Sequence, residues 1–216
     1  MIAADVIPAD AVAVIDGVSR HASVRGVITP MLAPITLTLR AGTLVALSGP
    51  SGSGKTTLCN ILLGWDPPDT GSVRWVTDAD PGWTRTSVAP QRLALLDALT
   101  VRENVLLPAW AAHRVVPDDE LTALATRLDL GELLDRRPTE LSFGEQQRAA
   151  IARAVLGSPT VVVLDEPTGH QDEARTRAVI DVLSATRDLG ACVVVATHDE
   201  DVIAAADEVI RLEPPR

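Results

Sequence analysis

Tyrosine is absent from this chain of 216 residues; with one phenylalanine and four tryptophans, aromatics make up only 2%. Its core has to be filled by valine, leucine, isoleucine and alanine. Cysteines number two, Cys59 and Cys192, far apart and with neither C-x-x-C spacing nor a nearby histidine cluster. That points to neither a disulfide framework nor a zinc site, and reduced cytosolic thiols are the expectation. Positive charge is in deficit: 19 Lys plus Arg stand against 29 Asp plus Glu, a formal net charge of −10. Such a balance argues against nucleic acid as the partner. Long apolar runs are missing too: 161–164 and 191–196 have strand length, whereas crossing a bilayer takes roughly 18 to 20 residues. The segment 1–16 carries Asp5 and Asp10 and no Lys or Arg, the wrong charge for a secretory signal, so a cytoplasmic location is expected. Against these absences stands a globular balance, 46% hydrophobic to 22% charged, in a length suited to one domain with a subdomain inserted.

Ile35-Thr-Leu-Thr-Leu39 alternates apolar and polar residues as a half-buried strand does, and Ala41-Gly42 turns the chain into the apolar run 43–48. Next come a glycine-rich loop, 49–54, and a stretch 55–63 whose apolar residues share one helical face, with Gly64 placed to end it. The order is strand, glycine loop, helix. Val161–Leu164 and Cys192–Ala196 are near-continuous β-branched runs with an amphipathic helix over about 173–189 between them. Such runs suit parallel strands covered on both faces, so an α/β layer is expected. From about 92 to 157 leucine and alanine recur at helical spacing, broken by Pro108, Pro117 and Pro138. This reads as a helical subdomain, 92–157, inserted into an α/β core of 1–91 and 158–216.

Gly49-Pro50-Ser51-Gly52-Ser53-Gly54-Lys55-Thr56 satisfies the phosphate-loop pattern, and Thr57 follows it. Glycines let successive backbone N–H groups turn inward to phosphate oxygens, and the following helix adds the positive end of its dipole. Lys55 is placed to reach the β and γ phosphates and the Thr56 hydroxyl to bind Mg²⁺. A flexible loop with a solvated lysine is the bland alternative, and the flanking strand and helix argue against it. Asp165 and Glu166 stand just past a buried strand, where an α/β sheet places its ligands. Asp165 suits a Mg²⁺ shell, and Glu166 the orientation of the water that attacks the γ-phosphate. His198 follows the next buried strand and is placed to donate to the γ-phosphate, although a histidine alone is more often a surface residue.

The order of these motifs resembles that of the ATP-binding cassette ATPases over nearly the whole chain. Leu141-Ser-Phe-Gly-Glu-Gln-Gln-Arg148 resembles the family signature, Ser87-Val-Ala-Pro-Gln91 the glutamine loop, Asp165 to Asp172 the second acidic motif with its aspartate loop, and Thr197-His198-Asp199 the switch histidine. The resemblance implies a P-loop NTPase of the α/β class: a nucleotide-binding domain with an antiparallel β subdomain and an inserted helical subdomain. It implies ATP and Mg²⁺ as cofactors, Thr56, Gln91 and Asp165 around the metal, and Glu166, His198 and Gln91 in hydrolysis. It further implies an ATP-dependent homodimer in which Ser142, Gly144 and Glu145 of one protomer face the nucleotide held by Lys55 of the other, with Asp172 at the interface. The partner so implied is an integral-membrane permease on a separate chain, with this protein peripheral on the inner face of the cell membrane. The expected function is to couple ATP-driven dimer closure to that permease; the alternative is a mechanical signal passed to a membrane partner without transport.

The chain departs from the family pattern at four places. Phe143 stands where glycine is usual, Glu145 where glutamine is common, and Gln171 where an apolar residue is usual. The aromatic platform for adenine, expected shortly after Val18-Ser19-Arg20, is replaced by His21-Ala22-Ser23. Either His21 stacks on the base or the platform is missing; stacking is worth about 1 to 3 kcal/mol, so looser base choice is expected. Leu95 to Pro108 resembles the ATPases of lipoprotein-release, macrolide-export and cell-division systems, and it also reads as a helix with a Thr100/Glu103 capping box. The apolar residues of 93–99 are expected to face the membrane partner.

Overall fold

A computed structural model describes residues 7–24, 27–76 and 85–215. Two sheets form the frame. Strands β1 (Ala11–Val24), β2 (Val27–Arg40) and β4 (Thr70–Trp75) make an antiparallel sheet in the order β2-β1-β4. Strands β3 (Leu44–Ser48), β5 (Thr86–Ala89), β6 (Val161–Asp165), β7 (Cys192–Ala196) and β8 (Glu208–Arg211) make a parallel sheet in the order β5-β6-β7-β3-β8.

Every residue of β6 and β7 is buried, so these strands show no polar alternation along the chain. Alternation appears instead in which core each residue enters, because successive side chains of a strand point to opposite faces. Val162, Leu164, Val193 and Val195 join one core with residues of α2 (Val101–Ala111), α4 (Phe143–Leu156) and α5 (Glu173–Asp188). Val161, Val163, Val194 and Ala196 join another with α1 (Lys55–Leu62) and with Ile15, Leu32 and Leu39 of the antiparallel sheet. Parallel strands covered on both faces are thus the result of continuous β-branched runs.

Between β5 and β6 lie α2, α3 (Asp118–Arg127), two short 3₁₀ turns and α4. Helix α2 starts on the expected capping box, with Glu103 N–H donating to Thr100 Oγ1 at 3.2 Å and Thr100 N–H to Glu103 Oε2 at 2.8 Å. It does not break at Pro108 as its sequence suggests, but runs on to Ala111. Pro108 costs the helix one bond, the N–H that would donate to the Asn104 carbonyl, and its ring is buried near Gly157 at the end of α4. Asn104, fully buried, holds the preceding loop by donating to the carbonyls of Leu96, Leu99 and Thr100 and accepting from Leu96 N–H. That loop turns Leu93 into the core and packs Leu95 against it, leaving Leu96 48% exposed. The expectation that the whole apolar stretch faces outward is therefore corrected: its leucines divide between core and surface.

Helix α5 covers the stretch read as amphipathic, is N-capped by Asp172 and ends at Asp188. The last helix, α6, spans Glu200–Ala205. Among the described residues no helix is long and apolar enough to cross a membrane.

Candidate functional site

Register in the parallel sheet assembles the site. Ala196 pairs with Leu47 on one side and with Asp165 on the other, so the ends of β3, β6 and β7 lie in one row. The loop after β3, the Asp165-Glu166 step and the turn carrying His198 leave the sheet side by side.

The loop after β3 passes through left-handed backbone at Gly52 and Gly54, with φ of 79° and 97°. At Gly54 a side chain is excluded twice over, because a Cβ there would sit 2.7 Å from the Met31 carbonyl oxygen of β2. Helix α1 follows with no side-chain cap and no acidic residue in its first turn, so no side chain competes for the N–H groups that end on the loop. Lys55 folds back across the loop, donating from Nζ to the Gly49 carbonyl at 2.7 Å and the Pro50 carbonyl at 3.3 Å. A cavity of about 680 Å³ lies over this loop, walled by residues 49–57, Pro30 and Met31 of β2, Gln91, Asp165, Glu166 and His198.

Thr56 Oγ1 donates to Asp165 Oδ2 at 2.7 Å. Burial lifts the Asp165 carboxyl above its ordinary range, opposed by the Thr56 hydrogen bond, while the nearby Glu166 charge adds to the rise and Lys55 lowers it. A carboxylate that burial disfavours, beside a hydroxyl and with the Gln91 amide on the same cavity, is a donor set of hard oxygens that fits Mg²⁺. Glu166 stands in left-handed backbone, φ 53°, which a residue with a Cβ adopts only where its surroundings hold it. Its N–H donates to the Ala196 carbonyl at 2.8 Å, its carbonyl accepts from Gln147 Nε2 at 2.7 Å, and its carboxylate lies 3.0 Å from His198 Nδ1.

Lys55, Thr56, Thr57, Gln91, Asp165, Glu166 and His198 thus meet on one cavity, whereas Ser142, Gly144, Glu145 and Asp172 do not line it. Ser142 instead caps α4 in a capping box, donating from Oγ to Glu145 Oε2 at 2.7 Å. The Ser142 side-chain and backbone hydrogen bonds hold the Glu145 carboxyl below the usual range. Asp172 caps α5 and pairs with Arg175.

His21 also lies off this cavity. Its backbone N–H donates to Asp69 Oδ2 at 2.6 Å and its Nδ1 lies 3.3 Å from the same oxygen, beside an Arg20–Asp69 ion pair at 2.8 Å. The nearest β2 residues on the cavity, Pro30 and Met31, carry no aromatic ring. Sequence reading missed them because only the pairing of β2 with β1, which shifts register four times, decides which of its residues reach the loop.

Three comparisons agree on what this chain resembles. The family described as "ABC transporter" matches residues 32–169. The macrolide export ATP-binding/permease protein MacB of Syntrophobacter fumaroxidans is 38% identical over 198 residues, covering 85% of this chain and 28% of that protein. The ABC transporter ATP-binding protein YxdL of Bacillus subtilis is 38% identical over 181 residues, covering 78% of this chain and 70% of its own length. This chain therefore spans little more than a quarter of the macrolide-export relative and most of the second. Among solved structures, the dimeric bacterial ABC transporter cassette MJ0796 superposes with a TM-score of 0.84 at 28% identity, covering 94% of each chain. Its dimeric post-hydrolysis state, bound to ADP and phosphate, superposes with the same score and identity.

Proposed function

The chain belongs to the ABC transporter family, and we propose that it is the ATP-hydrolysing subunit of a transporter, closing on ATP as a head-to-tail homodimer and passing that closure to an integral-membrane permease. One observation carries this reading. The phosphate loop, the Thr56–Asp165 pair and the Glu166–His198 pair share one cavity, while Ser142, which caps α4, stands outside it. A protomer of this kind has its own nucleotide half-site and a second half-site to offer a copy of itself.

In this reading Lys55 leaves the loop carbonyls for the β and γ phosphates, where its charge meets opposite charge instead of uncharged carbonyl oxygens. Thr56, Asp165 and Gln91 would hold Mg²⁺, which would neutralise charge on the phosphates. Glu166 accepts the proton of the attacking water, and His198, 3.0 Å from its carboxylate, fixes that carboxylate and faces the γ-phosphate. Ser142 and Gly144 of the second protomer close the site from above, with Asp172 beside them at the interface.

Docking of the permease is supported by the opposite flank of Gln91. A smaller cavity, about 260 Å³, is walled there by Thr56, Trp65, Gln91 and Arg92, and Trp65 is 56% exposed and Leu96 48% exposed. Gln91 borders both cavities, so a coupling helix of the permease docked over the smaller one touches a residue of the nucleotide site. The relatives' names support export as the direction. A location on the inner face of the cell membrane follows from that partner.

Light scattering on Glu166→Gln tests the reading, since this variant keeps the shape of the site and removes the base. With ATP and Mg²⁺ it is expected to accumulate as a dimer and to return to monomer with ADP. A monomer under both conditions overturns the head-to-tail assignment.

A further inference from the structure

A line of four hydrogen bonds runs from the signature helix to the backbone of Glu166. Arg148 Nη1 donates to Gln171 Oε1 at 2.9 Å. Gln171 Nε2 donates to the Gly144 carbonyl at 3.0 Å and to Gln147 Oε1 at 2.9 Å. Gln147 Nε2 then donates to the Glu166 carbonyl at 2.7 Å. The middle of the line is Gln171, where the family pattern has an apolar residue that could make none of these bonds.

Its direction is fixed from both ends. A guanidinium has donors only, so Arg148 requires the oxygen of the Gln171 amide; backbone carbonyls only accept, so Gly144 and Glu166 each require an amide NH₂. Turning either amide over sets oxygen against oxygen. Arg148 cannot follow such a turn, being 3% exposed and donating from Nε to the Leu128 carbonyl at 2.7 Å. Gln147 is 5% exposed, so no bulk water stands ready to replace a lost partner. What the line holds is the one non-glycine residue of the cavity in left-handed backbone, and the Gln147 bond is the shorter of the two on its carbonyl, 2.7 Å against 3.4 Å from Gly169 N–H.

We propose that Gln171 is a positioning residue for hydrolysis: it sets the Gln147 amide, which holds the Glu166 carbonyl, and joins that hold to Gly144 in the signature turn. Resting on the head-to-tail reading above, this makes one protomer's signature, engaged on the partner's nucleotide, continuous with the Glu166 that acts on its own nucleotide. Phe143 adds an apolar tie between the same two segments, its ring edge-on to His170 with centroids 4.5 Å apart.

Gln171→Glu is the decisive variant. It keeps the volume and the acceptor that faces Arg148, but it places an acceptor against Gly144 and Gln147. Gln147 then turns its NH₂ to the new carboxylate and its oxygen to the Glu166 carbonyl. Hydrolysis is expected to lose about tenfold or more in kcat, as a misplaced catalytic group does, while KM for ATP stays within about twofold because the phosphate loop is untouched. The pair of the new carboxylate with Arg148 offsets the oxygen–oxygen contacts in part, so the variant is expected to remain folded at the assay temperature, checked by its thermal midpoint. Gln171→Leu deletes the donors without reversing Gln147, so its kcat loss is expected to be smaller, and its Hill coefficient for ATP to drop towards 1. A Gln171→Glu enzyme with kcat within about twofold of the parent, or one less impaired than Gln171→Leu, overturns the proposal; the second result assigns Gln171 to packing alone. The dimer of Glu166→Gln separates the two readings: if it fails to form while Gln171→Glu still loses kcat, positioning within the protomer stands and only the link to the partner's nucleotide is lost.

Discussion

The two ends of the nucleotide cavity are built differently. At the phosphate end, backbone does the recognising: a loop in left-handed conformations at its glycines, closed against β2 at Gly54, and a helix start without a side-chain cap. At the end where the base is expected, the histidine nearest in sequence to the platform position is turned to Asp69. A site of this kind binds the part of the nucleotide common to all nucleoside triphosphates through groups that few substitutions can alter. In the proposed reading the part that distinguishes them is left to Pro30 and Met31 on the cavity wall, whose side chains are apolar and donate no hydrogen bond to a base edge.

The largest effects are expected where the phosphate end turns from binding to chemistry. Glu166→Gln removes the proton acceptor and leaves Lys55, Thr56 and Asp165 in place, so phosphate release is expected to fall by about 10² to 10⁴ with ATP affinity retained. Turnover near the parent rate shows that another group takes the proton. Lys55→Ala acts on the ground state as well: losing a charge-assisted phosphate contact costs about 1.5 to 3 kcal/mol, or roughly 10- to 150-fold in ATP affinity by titration. If ATP binding is unchanged in that variant, the lysine stays on the Gly49 and Pro50 carbonyls and the loop backbone alone holds the phosphates.

How far the sequence disclosed these two ends follows from the same physics. Strands β3, β6 and β7 are buried on both faces, so their apolar runs are visible in the chain without knowledge of any neighbour. The phosphate loop is visible because its glycines answer to local backbone conformation. Helix α5 shows its period because one of its faces is wet. Placement of β1 and β2 was not legible, since a hairpin of fourteen residues on each side, with bulges between Ile15 and Val18 and again at Arg20, turns side chains by pairing and not by local pattern. The leucines at 93 and 95 were misread for the same reason, as the buried Asn104 that folds their loop is distant from any apolar period. Gln147 and Gln171 were legible only as residue types; their meeting depends on how the turn before α5 crosses the start of α4.

Base choice sharpens the comparison with a smaller effect. With no aromatic ring on the cavity among the described residues, the site forgoes stacking worth about 1 to 3 kcal/mol, and the purified protein is expected to hydrolyse ATP and GTP with kcat/KM values within about tenfold of each other. A preference for ATP beyond about a hundredfold, more than a base-stacking contact supplies, shows that some group reads the adenine edge. Met31→Tyr places a ring at the cavity wall and is expected to lower KM for both nucleotides alike, because every base offers a π-face.

The smallest effect is expected at His21 itself, although its position in the chain singles it out. Its imidazole is 42% exposed and lies off the phosphate cavity, and the shorter of its two bonds to Asp69 comes from the backbone N–H, which any residue retains. His21→Ala is therefore expected to leave KM for ATP and for GTP within about twofold of the parent. The acid limb of stability gives a second readout. Asp69 is held below the usual carboxylate range, first by the His21 backbone N–H and then by the Arg20 charge. A lowered folded pKa gives stability that is present above the unfolded value and lost as pH falls through the folded one. His21→Ala keeps the leading cause, so its acid midpoint of unfolding is expected to follow the parent's closely. Asp69→Asn has no carboxylate to protonate there and is expected to show a flatter fall in stability over the same pH range. If His21→Ala instead raises KM for ATP more than about tenfold and leaves GTP unaffected, the imidazole leaves Asp69 when nucleotide binds and stacks on adenine, and the base end is then read by a side chain after all.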